Sequence, residues 1–396
     1  MTDAIPTDLT HRVRAWRHDL HQIPETAFAE HETSAYLAAV LVDLGYEVTT
    51  GIGGTGVVGS LSRGTSDRAV GLRSELDALA ISEDSGLEYA SRNPDAMHAC
   101  GHDGHMAMLL GAAAILAEER GIDGTVRVIF QPAEEPGRGA QAMVGDGLLE
   151  RFPIDAVFAI HNLPGVPAGH LHTRTGPVMA SEDDFTIHVT GRGGHASAPH
   201  LVVDPLVAAA EIVVALQHIV ARNVDPVRTA VVSCTDLRTD GARNAIPSNV
   251  TITGDTRSFD PDVQALLEKR IRETARGVAA AHGATAEVTY TREFGPTVND
   301  AECVAVAGRA AVDALGPNRV RVDADPIMAS EDFGVLARHV PGCLALLGSG
   351  TRPGEGGTPL HSHDYVFRRR DPRRRCCLLQ SGRPAHARPH RLDRRS

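Results

Sequence analysis

Apolar and polar positions follow two alternating patterns in the first 178 residues. Helically spaced segments lie at 8–20, 31–44 and 105–120, and short apolar runs lie between them at 69–72, 125–130 and 155–160. Such alternation of predicted helices and strands is typical of an α/β sheet covered by helices. The same character returns after Gly295, where the apolar run at 343–347 predicts a further strand.

Between residues 179 and 293 the pattern changes to one that favours a separate small domain. A strand with period two is followed by a helix, two strands, a second helix and a last strand. This β-α-β-β-α-β order is that of the ferredoxin-like split unit. We therefore predict an α/β fold, with a helix-covered mixed-sheet catalytic domain at 1–178 and 294–367 and an inserted ferredoxin-like lid domain at 179–293.

Composition bounds the class of protein. With 396 residues the chain is long enough for two domains, each with its own core. We expect a soluble protein without a membrane segment, because no apolar run approaches the roughly 18 residues needed to span a bilayer. The N-terminal residues do not resemble a secretory signal, and six scattered cysteines do not form a disulfide framework. A cytoplasmic location is expected.

Residues 368–396 differ in charge from the rest of the chain. They carry eleven arginines against Asp371 and Asp393, a net charge of +9, whereas the whole chain carries −11 and the remainder therefore −20. An acidic body disfavours nucleic acid as a partner, because phosphate repulsion would have to be overcome. The tail is rich in Arg, Pro and His without helical periodicity, and we interpret it as an aberrant segment produced by a frame change.

Polar residues of similar chemistry follow the predicted strands of the larger domain. RSELDAL, QPAEE and HNLP each come directly after an apolar run, and LHSHDY lies a short loop beyond another. Ligands of open α/β sheets bind beyond the carboxyl ends of the strands. We therefore expect these four segments to converge on one site.

Two segments, one of them outside these four, contain neighbouring groups that suit a metal. Cys100 and His102 stand in a glycine-bearing turn before an alanine-rich helix, and thiolate with imidazole suits zinc or a similar transition metal. Taken alone, a buried thiol beside a capping histidine is the simpler explanation. Glu134 and Glu135 are adjacent acids, so that one carboxylate can bind metal while the other faces the water, but EE alone favours a solvated loop.

The remaining histidines are ambiguous when each is considered by itself. His161 ends an apolar run and is equally well explained as a core residue or a ligand. His361 and His363 follow a Gly-rich stretch, where a histidine pair usually lies at the surface. Their shared position beyond the predicted sheet is what favours a metal site.

The motifs together resemble those of the amidohydrolase branch of the aminoacylase-type metallopeptidase family, which includes hippurate hydrolases, auxin-conjugate hydrolases and N-acetyl-diaminopimelate deacetylases. The motifs are RHDLHQIPETAFAEHET, RSELDALAISE, MHACGHDGHMA, FQPAEE, IHNLP, GRGGHASAPH, NAIPSN, ASEDFG and LHSHDY. They span most of the chain, and so many motifs in one order are highly specific.

The resemblance implies a site for two divalent metal ions per subunit, commonly manganese, zinc, nickel or cobalt. The implied ligands, matched motif by motif, are Cys100, His102, Glu135, His161 and His361. Glu134 is implied as the general base. Where the wider family has a histidine ligand and a supporting aspartate, this chain reads Glu75-Leu76-Asp77, and we expect Asp77 to support the ligands.

In the lid the resemblance implies residues that contact the substrate. His195 of GRGGHAS would polarise the carbonyl oxygen, in some members across a dimer interface, although without the resemblance a turn residue is the simpler interpretation. Asn244 and Arg257 resemble groups that hold the substrate's carboxylate, for which the paired donors of Arg are suited. Members often dimerise through the lid, so a homodimer or higher homo-oligomer is expected.

The predicted reaction is hydrolysis of the amide bond of a small N-acyl amino acid of the acetyl, benzoyl or indoleacetyl class. Two alternatives stay open. A dipeptidase or carboxypeptidase of the same wider family would differ by preferring a substrate with a free amino group. A catalytically silent metal-binding protein could share the fold, although the implied ligands and base are all present.

Overall fold

The computed structural model describes residues 7–350 and 358–367. These divide into two compact units. The first contains the described residues up to Gly176, Asn299–Ala324 and those from Leu336 onward, and the second contains Pro177–Val298 and Asp325–Val335. The tail at 368–396, interpreted above as aberrant, lies outside the described residues.

The strands of the described chain are, in order, β1 (Glu47–Ile52), β2 (Gly56–Arg63), β3 (Ala69–Glu75), β4 (Gly124–Gln131), β5 (Ala156–Pro164), β6 (Leu171–His172), β7 (Gly176–Met179), β8 (Glu182–Thr190), β9 (Gly194–His195), β10 (Ala230–Thr239), β11 (Ala245–Ile246), β12 (Asn249–Ser258), β13 (Thr285–Phe294), β14 (Thr297–Asn299), β15 (Val320–Arg321) and β16 (Gly342–Gly350). The α-helices are α1 (Thr7–His21), α2 (His31–Asp43), α3 (His102–Glu118), α4 (Gly139–Gly145), α5 (Leu148–Arg151), α6 (Pro205–Asn223), α7 (Pro261–Ala281), α8 (Ala301–Leu315) and α9 (Phe333–His339).

The first unit is built on an eight-stranded mixed sheet in the order β1-β2-β4-β3-β5-β16-β6-β15. Strands β4, β3, β5 and β16 are parallel neighbours, so their carboxyl ends lie at one edge of the sheet. β16 is buried along most of its length, as expected of a central parallel strand covered on both faces.

Helices α1, α2 and α3 cover the sheet with apolar side chains. Trp16, Leu37 and Leu110 pack in one cluster with Val128 and Phe130 of β4. Burial of each such side chain stabilises the fold by about 1.5–3 kcal/mol. The alanine-rich α3 is buried on nearly all sides, so the residues at its start are fixed by the core.

The second unit has a four-stranded antiparallel sheet in the order β10-β12-β8-β13. Helices α6 and α7 pack on it, giving the β-α-β-β-α-β order that the sequence predicts. Each helix begins at an aspartate followed by proline, and the carboxylates of Asp204 and Asp260 accept from the amides of Leu206 and Asp262. Together with the helix-covered mixed sheet of the first unit, this confirms the predicted fold class.

Helix α6 is long and apolar enough, by length and composition, to cross a membrane. One face of it, including Ile212, Leu216 and Ile219, packs in the core of the second unit. A core helix passes the same test of length and composition, so α6 is weak evidence for a membrane span.

The division into units differs from the predicted one chiefly at residues 325–335, which the sequence assigns to the larger domain but which group with the second unit. Residues 177–178 and 294–298, at the predicted boundaries, also belong to the second unit. The amide of Ala180 donates to the carbonyls of Ile327 and Ala329, and the Thr297 hydroxyl donates to Glu331 O at 2.8 Å. These contacts join distant parts of the chain, and apolar periodicity does not report them.

Candidate metal centre

The site of the first unit begins at the turn before α3. Gly101 has φ 90°, and a Cβ on it would lie 2.6 Å from Asn162 Oδ1. Glycine is required here on both counts, since other residues rarely adopt this backbone conformation. The turn places the side chains of Cys100 and His102, both buried, on the same pocket.

Two imidazoles of the site are oriented by backbone carbonyls. His102 Nδ1 donates to Asp77 O at 2.9 Å, and His161 Nδ1 donates to Asn162 O at 2.8 Å. Because a carbonyl can only accept, each Nδ1 carries a proton, and Nε2 is the ring nitrogen left to bind a metal. His161 Nε2 lies 3.5 Å from Cys100 Sγ. Both histidines would therefore bind a metal through Nε2.

The adjacent glutamates follow β4, and the carboxylates of both lie near His102. Glu134 Oε2 lies 3.8 Å and Glu135 Oε1 3.9 Å from His102 Nε2. Glu135 Oε2 also lies 3.5 Å from His361 Nε2. Glu135 thus lies between two histidines, whereas Glu134 lies beside His102.

His361 enters from the segment 358–367. Its φ is 62°, and its amide donates to Ala99 O at 3.0 Å. Farther along, the Tyr365 hydroxyl accepts from Asn162 Nδ2 at 2.9 Å. These contacts tie the segment to the start of α3 and hold the imidazole, itself half-exposed, against the buried cluster.

Five predicted ligands form two groups that share Cys100. One atom from each of Cys100, His102 and His161 lie within 4.8 Å of one another, and the same holds for Cys100, Glu135 and His361. Such spacings are about twice the metal–ligand bond lengths of about 2.0–2.3 Å. The arrangement suits two cations that share a thiolate.

One buried atom gives a separate test of whether a cation fits. His102 Nε2 is fully buried and has no hydrogen-bond partner among the described residues. A buried polar atom without a partner is costly, and a cation bound at this lone pair would satisfy it. Thiolate, imidazole and carboxylate together are a donor set for zinc or a similar divalent transition metal.

The surrounding charges favour a positive charge in the pocket. Burial alone would lower the pKa of His102, but its hydrogen bond to Asp77 and the nearby carboxylates of Glu75 and Glu135 raise the pKa to about 10. Burial, with the neighbouring His105, lowers the pKa of His161 to about 3, so that ring stays neutral. A neutral imidazole is the form that coordinates metal.

Asp77 is buried beside two of the predicted ligands. Its Oδ2 accepts from the backbone amide of Glu135 at 3.0 Å, and its carbonyl orients His102. Asp77 therefore forms a hydrogen bond with each of two predicted ligands, one through its carboxylate and one through its carbonyl oxygen. Its role in catalysis stays a prediction.

Three residues that contact the site, His105, Asn162 and Tyr365, were not predicted from the sequence. His105 Nδ1 donates to Glu75 Oε2 at 2.9 Å and its Nε2 accepts from the amide of Asn162 at 2.9 Å. Arg73 also pairs with Glu75, and together they hold the pKa of this carboxyl well below its usual range in spite of its burial. His105, Asn162 and Tyr365 stand within the GHDGH, HNLP and HSHDY motifs, which was the available signal.

Glu75, His102 and His105 form a further group of three potential ligands. Both ring nitrogens of His105 already have partners, as described above. This group is therefore less suited to an ion than the two that share Cys100.

The predicted substrate-contacting residues lie in the second unit. His195 of β9 pairs with Ala245 of β11, and Asn244 O accepts from the amide of Ala196 at 3.0 Å, so His195 and Asn244 are neighbours. His195 Nδ1 accepts from the amide of Ser197 at 3.2 Å, which leaves the proton on Nε2 as a donor.

Arg257 of β12 is already paired within its own unit. Its guanidinium lies 2.9 Å from Glu182 Oε1 and 3.1 Å from Asp255 Oδ1, and it donates to Met328 O at 3.2 Å. The predicted binding of a substrate carboxylate would have to compete with these partners. Within the first unit, the five predicted ligands lie together with Glu134 and Asp77. His195, Asn244 and Arg257 belong to the second unit.

Comparison with known proteins places this geometry in a family. Hippurate hydrolase of Campylobacter jejuni is 40% identical over 360 residues, 91% of this chain and 92% of that protein. N-acetyl-L-cysteine deacetylase of Bacillus subtilis is 37% identical over 334 residues, 84% of this chain and 79% of that protein.

A solved structure agrees with the sequence relatives. The Bacillus subtilis YXEP protein, a dinuclear metal-binding peptidase from the M20 family, superimposes with a TM-score of 0.78 at 30% identity, covering 91% of this chain and 93% of that one. The family model of peptidase family M20/M25/M40 matches residues 71–373. These matches confirm the resemblance drawn from the motifs. The chain belongs to peptidase family M20/M25/M40.

Proposed function

We propose that the protein is a metal-dependent amidohydrolase that cleaves the amide bond of N-acyl amino acids. The observation that carries this proposal is the pair of ligand groups sharing Cys100, with Glu134 beside His102. The names of the relatives support the substrate class, since hippurate and N-acetyl-L-cysteine are both amino acids acylated on nitrogen.

Cys100, His102, Glu135, His161 and His361 would hold two divalent cations, with manganese, zinc, nickel and cobalt as the candidates. When bound, such ions lower the pKa of water and polarise an amide carbonyl. The backbone bonds that set the tautomers of His102 and His161 prepare both Nε2 atoms for this.

The chain's own residues would move the protons. Glu134 would take a proton from the attacking water and deliver it to the leaving amine nitrogen as the C–N bond breaks. The Nε2–H of His195 would donate to the oxyanion that develops on the carbonyl oxygen. Asn244 and Arg257 would bind the carboxylate of the amino acid, with Arg257 exchanging its internal carboxylate partners for that of the substrate.

Glu134→Gln tests the central step. The amide has the same shape but cannot take a proton, so we expect kcat to fall by about 10²–10⁴-fold while two metal ions are retained by elemental analysis. Glu150→Gln, an exposed substitution on α5, is the matched control and should leave kcat unchanged. Near-normal turnover by Glu134→Gln would remove this residue from the role.

A substrate panel separates the proposal from its rivals. Acetyl-, benzoyl- and indoleacetyl-amino acids should be hydrolysed in preference to dipeptides with a free amino group. A preference for dipeptides would favour a dipeptidase or carboxypeptidase. Metal binding without hydrolysis of either class would favour a silent protein.

We also propose that the second unit is a lid that mediates self-association. The outer face of α6 exposes Leu206, Val207 and Val214, an apolar surface that supports a contact with a second copy. Light scattering of the purified chain tests this, and a monomer at all concentrations would contradict it. We also propose a cytoplasmic location, where a reducing environment would keep the thiol of Cys100 available as a ligand.

A further inference from the structure

The turn that presents the two glutamates has an unusual backbone. Ala133, directly before Glu134, is fully buried and has φ 48°. Non-glycine residues rarely adopt this left-handed conformation, and they keep it only where the surroundings fix it. The amides of Arg138 and Gly139 both donate to the Ala133 carbonyl, at 3.2 and 2.9 Å.

The amide of the same residue is held from a distant part of the chain. Glu30, the residue before α2, accepts from the Ala133 amide through Oε1 at 2.9 Å, across 103 positions in sequence. Its Oε2 accepts from the Thr55 hydroxyl at 2.5 Å. Glu30 is fully buried, and both of its carboxylate oxygens are therefore committed.

A second carboxylate holds the other side of the turn. Asp77 Oδ2 accepts from the amide of Glu135 at 3.0 Å. The amides immediately before and after Glu134 are thus both bonded to buried carboxylates. Together with the two bonds to the Ala133 carbonyl, they restrain the backbone on both sides of Glu134.

We propose that Glu30 is a positioning residue, which holds Ala133 in the left-handed conformation and so directs the Glu134 carboxylate toward His102. Glu30 acts through the backbone of the turn rather than by touching the reacting atoms. This inference rests on the proposed function, because the orientation of Glu134 matters if Glu134 is the base.

The competing explanation is that Glu30 merely anchors the start of α2. Thr55→Val is the matched control, because it removes the other bond of Glu30, keeps the shape of the side chain and leaves the Ala133 bond in place. An anchoring role predicts similar losses of stability, and no specific loss of kcat, in Thr55→Val and Glu30→Ala.

The experiment compares Glu30→Ala, Glu30→Gln and Thr55→Val in the full chain loaded with Mn²⁺, on the best substrate of the panel. We expect Glu30→Ala to lower kcat by about 10–100-fold with KM changed by less than about threefold and two metals bound, since displacing a reacting group by about 1 Å has effects of this size. Glu30→Gln keeps an oxygen acceptor for Ala133 and should stay within about threefold of the parent kcat. Thr55→Val should do the same.

A second substitution distinguishes positioning from anchoring. Glycine adopts positive φ without a steric penalty, so Ala133→Gly should restore part of the kcat lost in Glu30→Ala. An anchoring role predicts no such rescue. If Glu30→Ala is not recovered as soluble protein, Glu30→Asp, which keeps the charge and withdraws the acceptor by one carbon, should show a larger loss of kcat than Glu30→Gln.

Glu134→Gln is measured in the same series, so that a failure of the proposed function can be told apart from a failure of the positioning role of Glu30. Full activity in Glu134→Gln would refute the proposed function. An inactive Glu134→Gln together with a fully active Glu30→Ala, or a loss in Glu30→Ala that follows metal content, would overturn the positioning role alone.

Discussion

The contact between α3 and the segment carrying His361 leads to a prediction at Gly104. A Cβ at this position would lie 3.0–3.1 Å from three ring atoms of Phe367. Phe367 is joined to His361 through the short segment that Tyr365 anchors to Asn162. Gly104→Ala should therefore displace Phe367 and loosen His361.

Two opposing effects set the magnitude. Alanine is more favourable than glycine by about 1 kcal/mol in a helix interior, and by less at Gly104, which stands in the first turn of α3. Inserting a methyl group into a filled space costs about 1–3 kcal/mol. The segment 358–367 has no helix or strand, so it yields more easily than α3 does. We expect little net change in the free energy of unfolding, while the strain is relieved by moving the segment that supplies His361.

The assay is metal binding combined with activity. Gly104→Ala should weaken one of the two bound metals by about 10–100-fold, the size seen when a supporting contact of a ligand is lost. Titration with Mn²⁺ followed by calorimetry measures this, and thermal unfolding checks the fold. Adding Phe367→Leu removes ring atoms from the clash and should restore part of the affinity. Unchanged affinity and kcat in Gly104→Ala would refute the reasoning.

Two further predictions follow. Cys100→Ser should reduce both metals because Cys100 belongs to both ligand groups, whereas His161→Ala should reduce one; equal losses by elemental analysis would contradict the shared thiolate. His98 is buried, neither ring nitrogen has a hydrogen-bond partner in the described part of the chain, and burial lowers its pKa from 6.5 to about 3. The unfolded ring takes up a proton below about pH 6.5 but the buried ring does not, so the stability falls as the pH drops from about 6.5 toward 3, by about 1.4 kcal/mol at pH 5.5. His98→Leu should remove this part of the acid dependence, measured by urea unfolding at pH 7.5 and 5.5, and an unchanged dependence would contradict it.

The sequence predicted which segments meet at the site, but not how they support one another. Glu75 ends β3 and Asp77 stands two positions later, and both are buried carboxylates. Their contacts differ, because Glu75 pairs with Arg73 and His105, whereas Asp77 accepts from the ring of His102 and from the amide of Glu135. Such partners are distant in sequence and depend on side-chain direction, which periodicity does not specify.

Segments without a periodic pattern were the hardest to assign. Residues 325–335 carry no strand or helix signal that links them to the second unit, yet a bridge between Met179 and Ile327 joins them to it. The left-handed turn at Ala133 was equally hidden, because alanine gives none of the warning that a glycine would. The sequence therefore indicated the candidate ligands more readily than the turns and hydrogen bonds that orient them.

These turns and hydrogen bonds share one feature: in each case a backbone group is one of the two hydrogen-bonding partners. The inner histidines donate to backbone carbonyls, and the glutamate turn donates its amides to the carboxylates of Glu30 and Asp77. A backbone partner cannot be lost by substitution of its own side chain, so the tautomers of His102 and His161 withstand most changes nearby. The glutamate turn depends instead on two side chains. We therefore expect substitution of Glu30 to affect Glu134 before it affects the two histidines, whereas substitution of Asp77 should affect Glu135 and also lower the pKa of His102.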